Sequence, residues 1–294
     1  MSEARFTGPE VGALRIFNLM DIAKQSYAPE IFVVHTSPSR SVPIRTLVPS
    51  DLYRKILGVQ FFVGNAAQAV AAGMCGGLVV APAAPSLVDL SKDEDYRQAL
   101  LESDLAITDS GFMVLLWNAI VLDRIPRVSG LKYLKLLLFQ PEFRQPGATF
   151  WVMPSEESMR RNLTWLQAQG IRAEEEDCYV APKYEAGTIC DEALLKLIND
   201  RRPAHVIIAV GGGVQERLGL FLKRGCHFRP SIHCLGAAIG FLTGDQVRIP
   251  VWADEWKLGW LFRCVHSPKR FVPRYAKAFR LALVLWRFRD RLPH

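Results

Sequence analysis

The chain is predicted to adopt an α/β fold, a Rossmann-like and mostly parallel sheet flanked by helices. Short buried apolar runs recur along it, helix signals separate them, and glycine or aspartate turns close the runs at one end. Strands separated by helices pair in parallel through right-handed crossovers. With 294 residues, half of them hydrophobic and 22% charged, the composition excludes a mainly disordered chain and suits one or two domains.

Taken in order, residues 1–53 read as an irregular N-terminal extension, rich in turn formers such as Thr36-Ser37-Pro38-Ser39-Arg40, with one strand near residues 31–34. Residues 54–245 read as the α/β core. Leu78-Val79-Val80 follows Gly76-Gly77 as a buried strand. Ser91 with Glu94 three residues later matches a capping box and opens a helix that runs to residue 101. Leu105-Ala106-Ile107 is the next buried strand, ending at Asp109. Residues 148–153 form a strand. Ser155 then caps a helix with Glu156 and Glu157 in its first turn, Met159, Leu163 and Leu166 on its buried face, and Gly170 at its end. A helix over 191–199, a strand over 205–210, the break Gly211-Gly212-Gly213, a helix over 214–223 and a strand over 231–235 closed by Gly236 complete the alternation. Residues 246–294 are read as a basic, amphipathic C-terminal helical appendage.

Charge sharpens that division. From residue 269 onward there are eight Lys or Arg and one acid, Asp290, so the tail carries the whole net charge of +7 and residues 1–268 sum to zero. A neutral body with a basic tail argues against nucleic acid, whose binders spread charge over a groove-facing surface, and favours an anionic surface or ligand. Residues 273–291 read as one helix, with Tyr275, Phe279, Leu283 and Trp286 on one face and Lys277, Arg280, Arg287 and Arg291 on another. An interfacial membrane helix and a helix docked on its own protein both fit, and the tail is expected to be removable without unfolding the body. No apolar run approaches the ~18–20 residues of a spanning helix, and the polar first ten residues give no expectation of secretion. The six cysteines lack CxxC or histidine spacing, which argues against zinc ribbons, haem attachment and a disulfide scaffold, and fits a reducing compartment.

Three features carry candidate chemistry. Gly211-Gly212-Gly213, between a buried strand and a helix, offers backbone N–H groups to a phosphate or is simply a tight turn; Gln215 and Glu216 on the first turn place polar groups over the ligand-binding edge of the sheet. Asp109 ends a strand at the same edge, as a general base or a helix cap. Asp93-Glu94-Asp95 matches a DxD metal pattern but is accounted for by the helix start, so no metal site is expected. Trp252, Trp256 and Trp260 recur every four residues, as core packing would require.

Over residues 54–280 the chain resembles the WecG/TagA/CpsF glycosyltransferases. Gly211 to Glu216 resembles the family's GxPxQE segment. Gly236-Ala237-Ala238, Phe241 and Gly244 match its next turn, and Arg248, Pro250 and Trp252 its Arg-x-Pro-x-Trp. Trp260, Arg263, Pro268, Arg270, Arg274 and Tyr275 match its closing elements, and Arg127 with Gly130 its Arg-x-x-Gly. Asp109 stands where the family has its proposed catalytic aspartate. The chain departs at Ala81 and Ala83, where the family has Thr-x-Asn, and at Phe112, Lys132, Gly240 and Gly259. The resemblance implies a metal-independent, cofactor-free inverting transferase that moves a sugar from a UDP-sugar to a polyprenyl-diphosphate-linked glycan, as a peripheral protein on the cytoplasmic face of a bacterial membrane. In that reading Asp109 is the base, and Arg127 joins Arg263, Arg270 and Arg274 in stabilising the charge on the leaving phosphate. The glycine loop with Gln215, Glu216 and Gly236 holds the diphosphate, together with Arg248, Arg263, Arg270 and Arg274. Lys277, Phe279, Arg280, Leu283, Trp286 and Arg287 meet the anionic membrane. A homo-oligomer stays open. Two other classes remain: a catalytically impaired sugar-nucleotide-binding or scaffold subunit, motivated by Ala81, Ala83 and Phe112, and a nicotinamide oxidoreductase, which lacks the GxGxxG fingerprint and its acidic ribose ligand.

Overall fold

The computed structural model describes residues 49–185, 187–244, 265 and 268–294, with side chains in the last segment from residue 276. The strand expected near 31–34, the tryptophan stripe and the side chains of Arg248, Arg263, Arg270 and Arg274 lie outside the described residues.

Eight strands form one sheet: β1 (Tyr53–Ile56), β2 (Val59–Phe62), β3 (Gly77–Val80), β4 (Leu105–Ile107), β5 (Thr149–Met153), β6 (Cys178–Val180), β7 (His205–Ile208) and β8 (Ser231–Cys234). Their spatial order is β1-β2-β4-β3-β8-β7-β5-β6, parallel throughout except for the antiparallel edge strand β1. Helices α1 (Ala66–Gly73), α2 (Ala84–Leu87), α3 (Glu94–Leu101), α4 (Gly111–Val121), α5 (Gly130–Leu138), α6 (Glu156–Ala168), α7 (Glu192–Arg201) and α8 (Val214–Gly225) fall between the parallel strands; α9 (Ala238–Thr243) and α10 (Pro268–Phe288) follow β8. β3, β5, β7 and β8 are buried at every position, as strands covered on both faces must be. The chain leaves β3 outward to β4 and returns inward from β6 through β7 to β8, so β3 and β8 are the central pair, and in an open α/β sheet the ligand-binding crevice lies outside the C-terminal ends of the strands.

Two local expectations change. The α3 N-cap is Asp93, not Ser91: the Asp93 carboxylate accepts the Tyr96 amide at 2.9 Å, while residues 89–92 are spent in a preceding turn. On α6, Ser158, Asn162 and Trp165 join Leu163 and Leu166 on the buried face, and Met159 is only half-buried. Beneath the sheet's middle, Tyr133, His233 and His205 form a buried polar chain, with the Tyr133 hydroxyl 3.0 Å from His233 Nδ1 and His233 Nε2 3.2 Å from His205 Nδ1. Burial and the neighbouring His205 hold the His233 ring well below the ordinary histidine pKa.

The C-terminal helix is built into the body. Ala278, Leu281 and Leu285 are fully buried members of the main core, and α10 packs against α2 and α4. Beyond its end, the Leu57 and Gly58 amides of the β1–β2 turn donate to the Arg289 and Asp290 carbonyls at 2.7 and 3.0 Å. Both turn residues have positive φ (49° and 80°), and a Cβ at Gly58 would lie 2.8 Å from Leu292. A removable appendage is therefore the wrong expectation, because deleting α10 uncovers core side chains and two strand-turn amides.

Candidate functional site

β4 delivers Asp109 to the crevice, and the loop before α5 holds it there. The Thr108 hydroxyl donates to the Pro126 carbonyl at 2.9 Å and accepts the Val128 amide at 3.0 Å. Arg127 Nε donates to the Asp109 carbonyl at 2.7 Å, and its Nη2 lies 3.8 Å from Asp109 Oδ1. The Gly130 amide, first in α5, donates to the same Oδ1 at 2.7 Å. Ser110 caps α4 by accepting the Met113 amide at 3.2 Å, so the carboxylate sits between the N-terminal ends of two helices. Oδ1 is occupied, whereas Oδ2 accepts no hydrogen bond among the described residues and the side chain is 33% exposed. One carboxylate oxygen is anchored and the other remains open to a substrate hydroxyl. Ala81 lines the same corner, since a Cβ on Gly130 would lie 3.5 Å from Asp109 Oδ1 and 3.8 Å from the Ala81 Cβ.

The glycine turn follows β7. Gly213 takes φ +90°, a left-handed conformation that glycine adopts without strain, and Cβ atoms built on Gly211 or Gly213 would meet nothing within 4 Å. The turn thus presents an open backbone face, on which the Gly211 and Gly212 amides make no hydrogen bond among the described residues. Glu216 and Gln215 are placed differently from expectation. Glu216 is fully buried and Gln215 is 3% exposed. The Gly213 amide donates to Glu216 Oε2 at 2.7 Å, and Gln215 Nε2 donates to Glu216 Oε1 at 3.0 Å. A buried carboxylate takes the nearest donors, and here those belong to its own loop. Burial pushes the Glu216 carboxyl above the ordinary glutamate range, opposed by those donors. Glu216 therefore shapes the turn from beneath. Gln215 Oε1 has no partner and faces Gly236, where a Cβ would come within 3.3 Å; Gly236 keeps φ +55° there.

One wall escaped the sequence reading. Arg217 donates from Nε to the Gly213 carbonyl at 3.0 Å and from Nη1 to the Gly187 carbonyl at 2.6 Å, tying the loop after β6 to the glycine turn. Thr188 donates to Asp95 at 3.0 Å, and the hydroxyls of Tyr179 and Tyr184 both donate to Asp191, the α7 cap. The only sequence signal was the capping aspartate. Asp93 and Asp95 of the rejected DxD pattern are accounted for by the α3 cap and by Thr188. No three His, Cys, Asp or Glu side chains converge as a metal cluster among the described residues.

α10 brings the tail to this edge. Phe279 stacks edge-on against Phe112 of α4, with ring centroids 5.4 Å apart, and Lys277 pairs with Asp89 after α2. Lys277 thus faces the body rather than joining Arg280 and Arg287, which are exposed. Phe279, Leu283 and Trp286 are 57, 71 and 67% exposed, on the face opposite Ala278, Leu281 and Leu285. Since the helix ends at the β1–β2 turn on the far side of the sheet, Arg270 and Arg274 precede Lys277 toward the crevice end. Among the described residues no helix is long and apolar enough to cross a membrane.

No curated protein matches the chain. The family model described as "Glycosyl transferase WecG/TagA/CpsF family" matches residues 54–293, from the edge strand that opens the sheet to the last turn of the tail. A Rossmann-like sheet with an anchored aspartate and an open glycine turn at its crevice is thus the frame of a sugar-transferring enzyme, and the chain belongs to the WecG/TagA/CpsF glycosyltransferase family.

Proposed function

We propose that the protein is an inverting glycosyltransferase that moves a sugar from a UDP-sugar to a polyprenyl-diphosphate-linked glycan at the cytoplasmic surface of a bacterial membrane. The observation that carries this reading is the Asp109 carboxylate, fixed through Oδ1 with Oδ2 open, at the same sheet edge as the exposed backbone of Gly211–Gly213. Asp109 takes the proton of the acceptor hydroxyl as that oxygen attacks the anomeric carbon, and the bond to the UDP phosphate oxygen breaks on the opposite face. Arg127, bonded to the Asp109 carbonyl, is a positioning residue. The Gly211 and Gly212 amides and the positive end of α8 receive the diphosphate. Arg248, Arg263, Arg270 and Arg274 offset the leaving charge in place of a metal. The exposed Phe279, Leu283 and Trp286, beside Arg280 and Arg287, meet the bilayer that carries the acceptor.

The test is a panel of UDP-sugars with a polyprenyl-diphosphate glycan acceptor, reading UDP release and product anomeric configuration. Acceptor-dependent release with inverted product is expected; retained configuration would remove the single-displacement reading. A second reading, a sugar-nucleotide-binding subunit without turnover, draws on the Ala81-Pro82-Ala83 end of β3, which offers no hydroxyl or amide side chain beside Asp109. UDP binding without release for any donor would favour it.

A further inference from the structure

Five of the large apolar side chains exposed among the described residues, Leu115, Leu122, Phe279, Leu283 and Trp286, lie on α4, on the left-handed residue that ends it, and on α10. α4 reads Gly-Phe-Met-Val-Leu-Leu-Trp-Asn-Ala-Ile-Val, and its polar amide, Asn118, is turned into the following loop, donating to the Ile125 carbonyl and accepting the Ile125 amide. Met113, Val114 and Trp117 fill the core, which leaves Leu115, Ala119 and Leu122 outward at helical spacing, where a solvated helix carries charge. The Phe112–Phe279 contact joins this stripe to the outward stripe of α10, so the two helices present one apolar panel, and the panel begins next to Asp109.

The rim of the panel is cationic. Arg280 and Arg287 flank it along α10 and Arg291 lies just beyond its end, and Arg124 is exposed near the end of α4. Of the acids nearby, Asp123 is paired with Arg54 and Asp89 with Lys277, leaving Asp51 and Asp290. A two-fold contact between copies would set these like charges against each other, whereas an apolar panel with a basic rim suits an anionic bilayer.

We infer that α4 is a second membrane-contact helix, and that α4 and α10 together seat the protein on an anionic bilayer with Asp109 at the level of the lipid headgroups. This rests on the reading above, in which α10 alone meets the membrane. It adds that the helix starting at the base itself sets how far the base stands from a lipid-linked acceptor.

The test uses the full-length protein, sedimented with phosphatidylglycerol–phosphatidylcholine vesicles and with phosphatidylcholine alone. Leu115→Glu and Leu122→Glu are each expected to weaken binding to the anionic vesicles by about tenfold or more, because a buried leucine surface is replaced by an anion. Leu197→Glu, at an exposed leucine of α7, is expected to change nothing. Amide exchange in residues 111–122 is expected to slow on vesicles together with that in 276–288. A doubly substituted variant with unchanged melting and wild-type vesicle binding would overturn the proposal, as would protection confined to 276–288. It also fails if the α4 substitutions dissociate a dimer in solution and leave vesicle binding intact, since the panel would then cover a second copy. UDP release with a water-soluble, short-chain acceptor separates the two readings. Its absence in the unsubstituted protein counts against the transferase assignment, whatever the vesicles show.

Discussion

Replacing Asp109 with Asn tests the base assignment while leaving the site's architecture nearly intact. The asparagine carbonyl can still accept the Gly130 amide that now reaches Oδ1 at 2.7 Å. The substitution removes one negative charge from the α5 N-terminus, about 0.3–1 kcal/mol. It also removes an ion pair to Arg127 at 3.8 Å between groups 18% and 33% exposed, about 0–1 kcal/mol at such solvent contact. The stability loss is then about 0.3–2 kcal/mol, a melting shift of about 1–8 °C for a body of this size. Transfer should fall far more, by about 10²–10⁴-fold, or about 2.7–5.5 kcal/mol of transition-state free energy, with UDP affinity unchanged. Asp109→Ala is the contrast: it strands the Gly130 amide and costs about 1–3 kcal/mol more in folding without a larger kinetic effect. The assays are UDP release, UDP titration and thermal melting on the same preparations. Transfer within tenfold of the unsubstituted enzyme refutes the base role. Parallel loss of UDP binding and transfer makes Asp109 a structural residue only.

Glu216 has its pKa raised by burial, so its folded form holds a proton more readily than the unfolded chain; stability is greatest below the usual 4.5 and declines as pH rises through the raised value. Glu216→Gln is expected to flatten that decline in urea titrations, and parallel curves for the two proteins would contradict it. His233 has the opposite bias, its folded pKa depressed, so stability is lost as pH falls below 6.5, with a slope of up to about 1.4 kcal/mol per pH unit. His233→Gln should remove that acid limb, and an unaltered limb would show that other groups cause it. Leu285→Ala, at a fully buried position of α10, should destabilise the whole body by about 2–5 kcal/mol; a local loss without a change in the main unfolding transition would mean that the helix is not part of the cooperative core. Transfer is expected to survive excess EDTA, and loss restored by Mn²⁺ would remove the arginines from leaving-group stabilisation.

Strands β3, β5, β7 and β8 were legible because nothing in them competes with burial, each being apolar or internally hydrogen-bonded at every position, whereas the half-buried β6 was not read as a strand. The β1–β2 hairpin was not, because its turn is Leu57-Gly58 rather than Asn-Gly, and its positive φ at leucine is sustained by the tail, far away in sequence. Ser91 was read as the cap of α3, and the turn at residues 89–92 gives that place to Asp93 instead. Asp109 was readable from its place at a strand end, whereas the clamp on Oδ1 comes from α5, twenty-one residues later. Glu216 looked outward because first-turn residues usually are; the reversal at Gly213 turns it under the loop. On α10 the sequence reading singled out the face of Phe279, Leu283 and Trp286, and not the one that the core buries. Ala278, Leu281 and Leu285 went inward because the smaller side chain lets α2 and α4 approach, leaving the bulkier Phe279, Leu283 and Trp286 outside.

The hydrogen bonds between the β1–β2 turn and the Arg289 and Asp290 carbonyls also set an order of events during synthesis. A chain emerging from the ribosome can begin to form its sheet as the segments appear, N-terminal part first. Its edge hairpin, though it precedes the other described strands, cannot satisfy the Leu57 and Gly58 amides until residues 289 and 290 have emerged. Until then the turn carries two unpaired amides beside the sheet's edge strand, the kind of surface that chaperones hold and that misfolding chains share. A product truncated before residue 289 therefore leaves the two amides of the β1–β2 turn without their carbonyl partners.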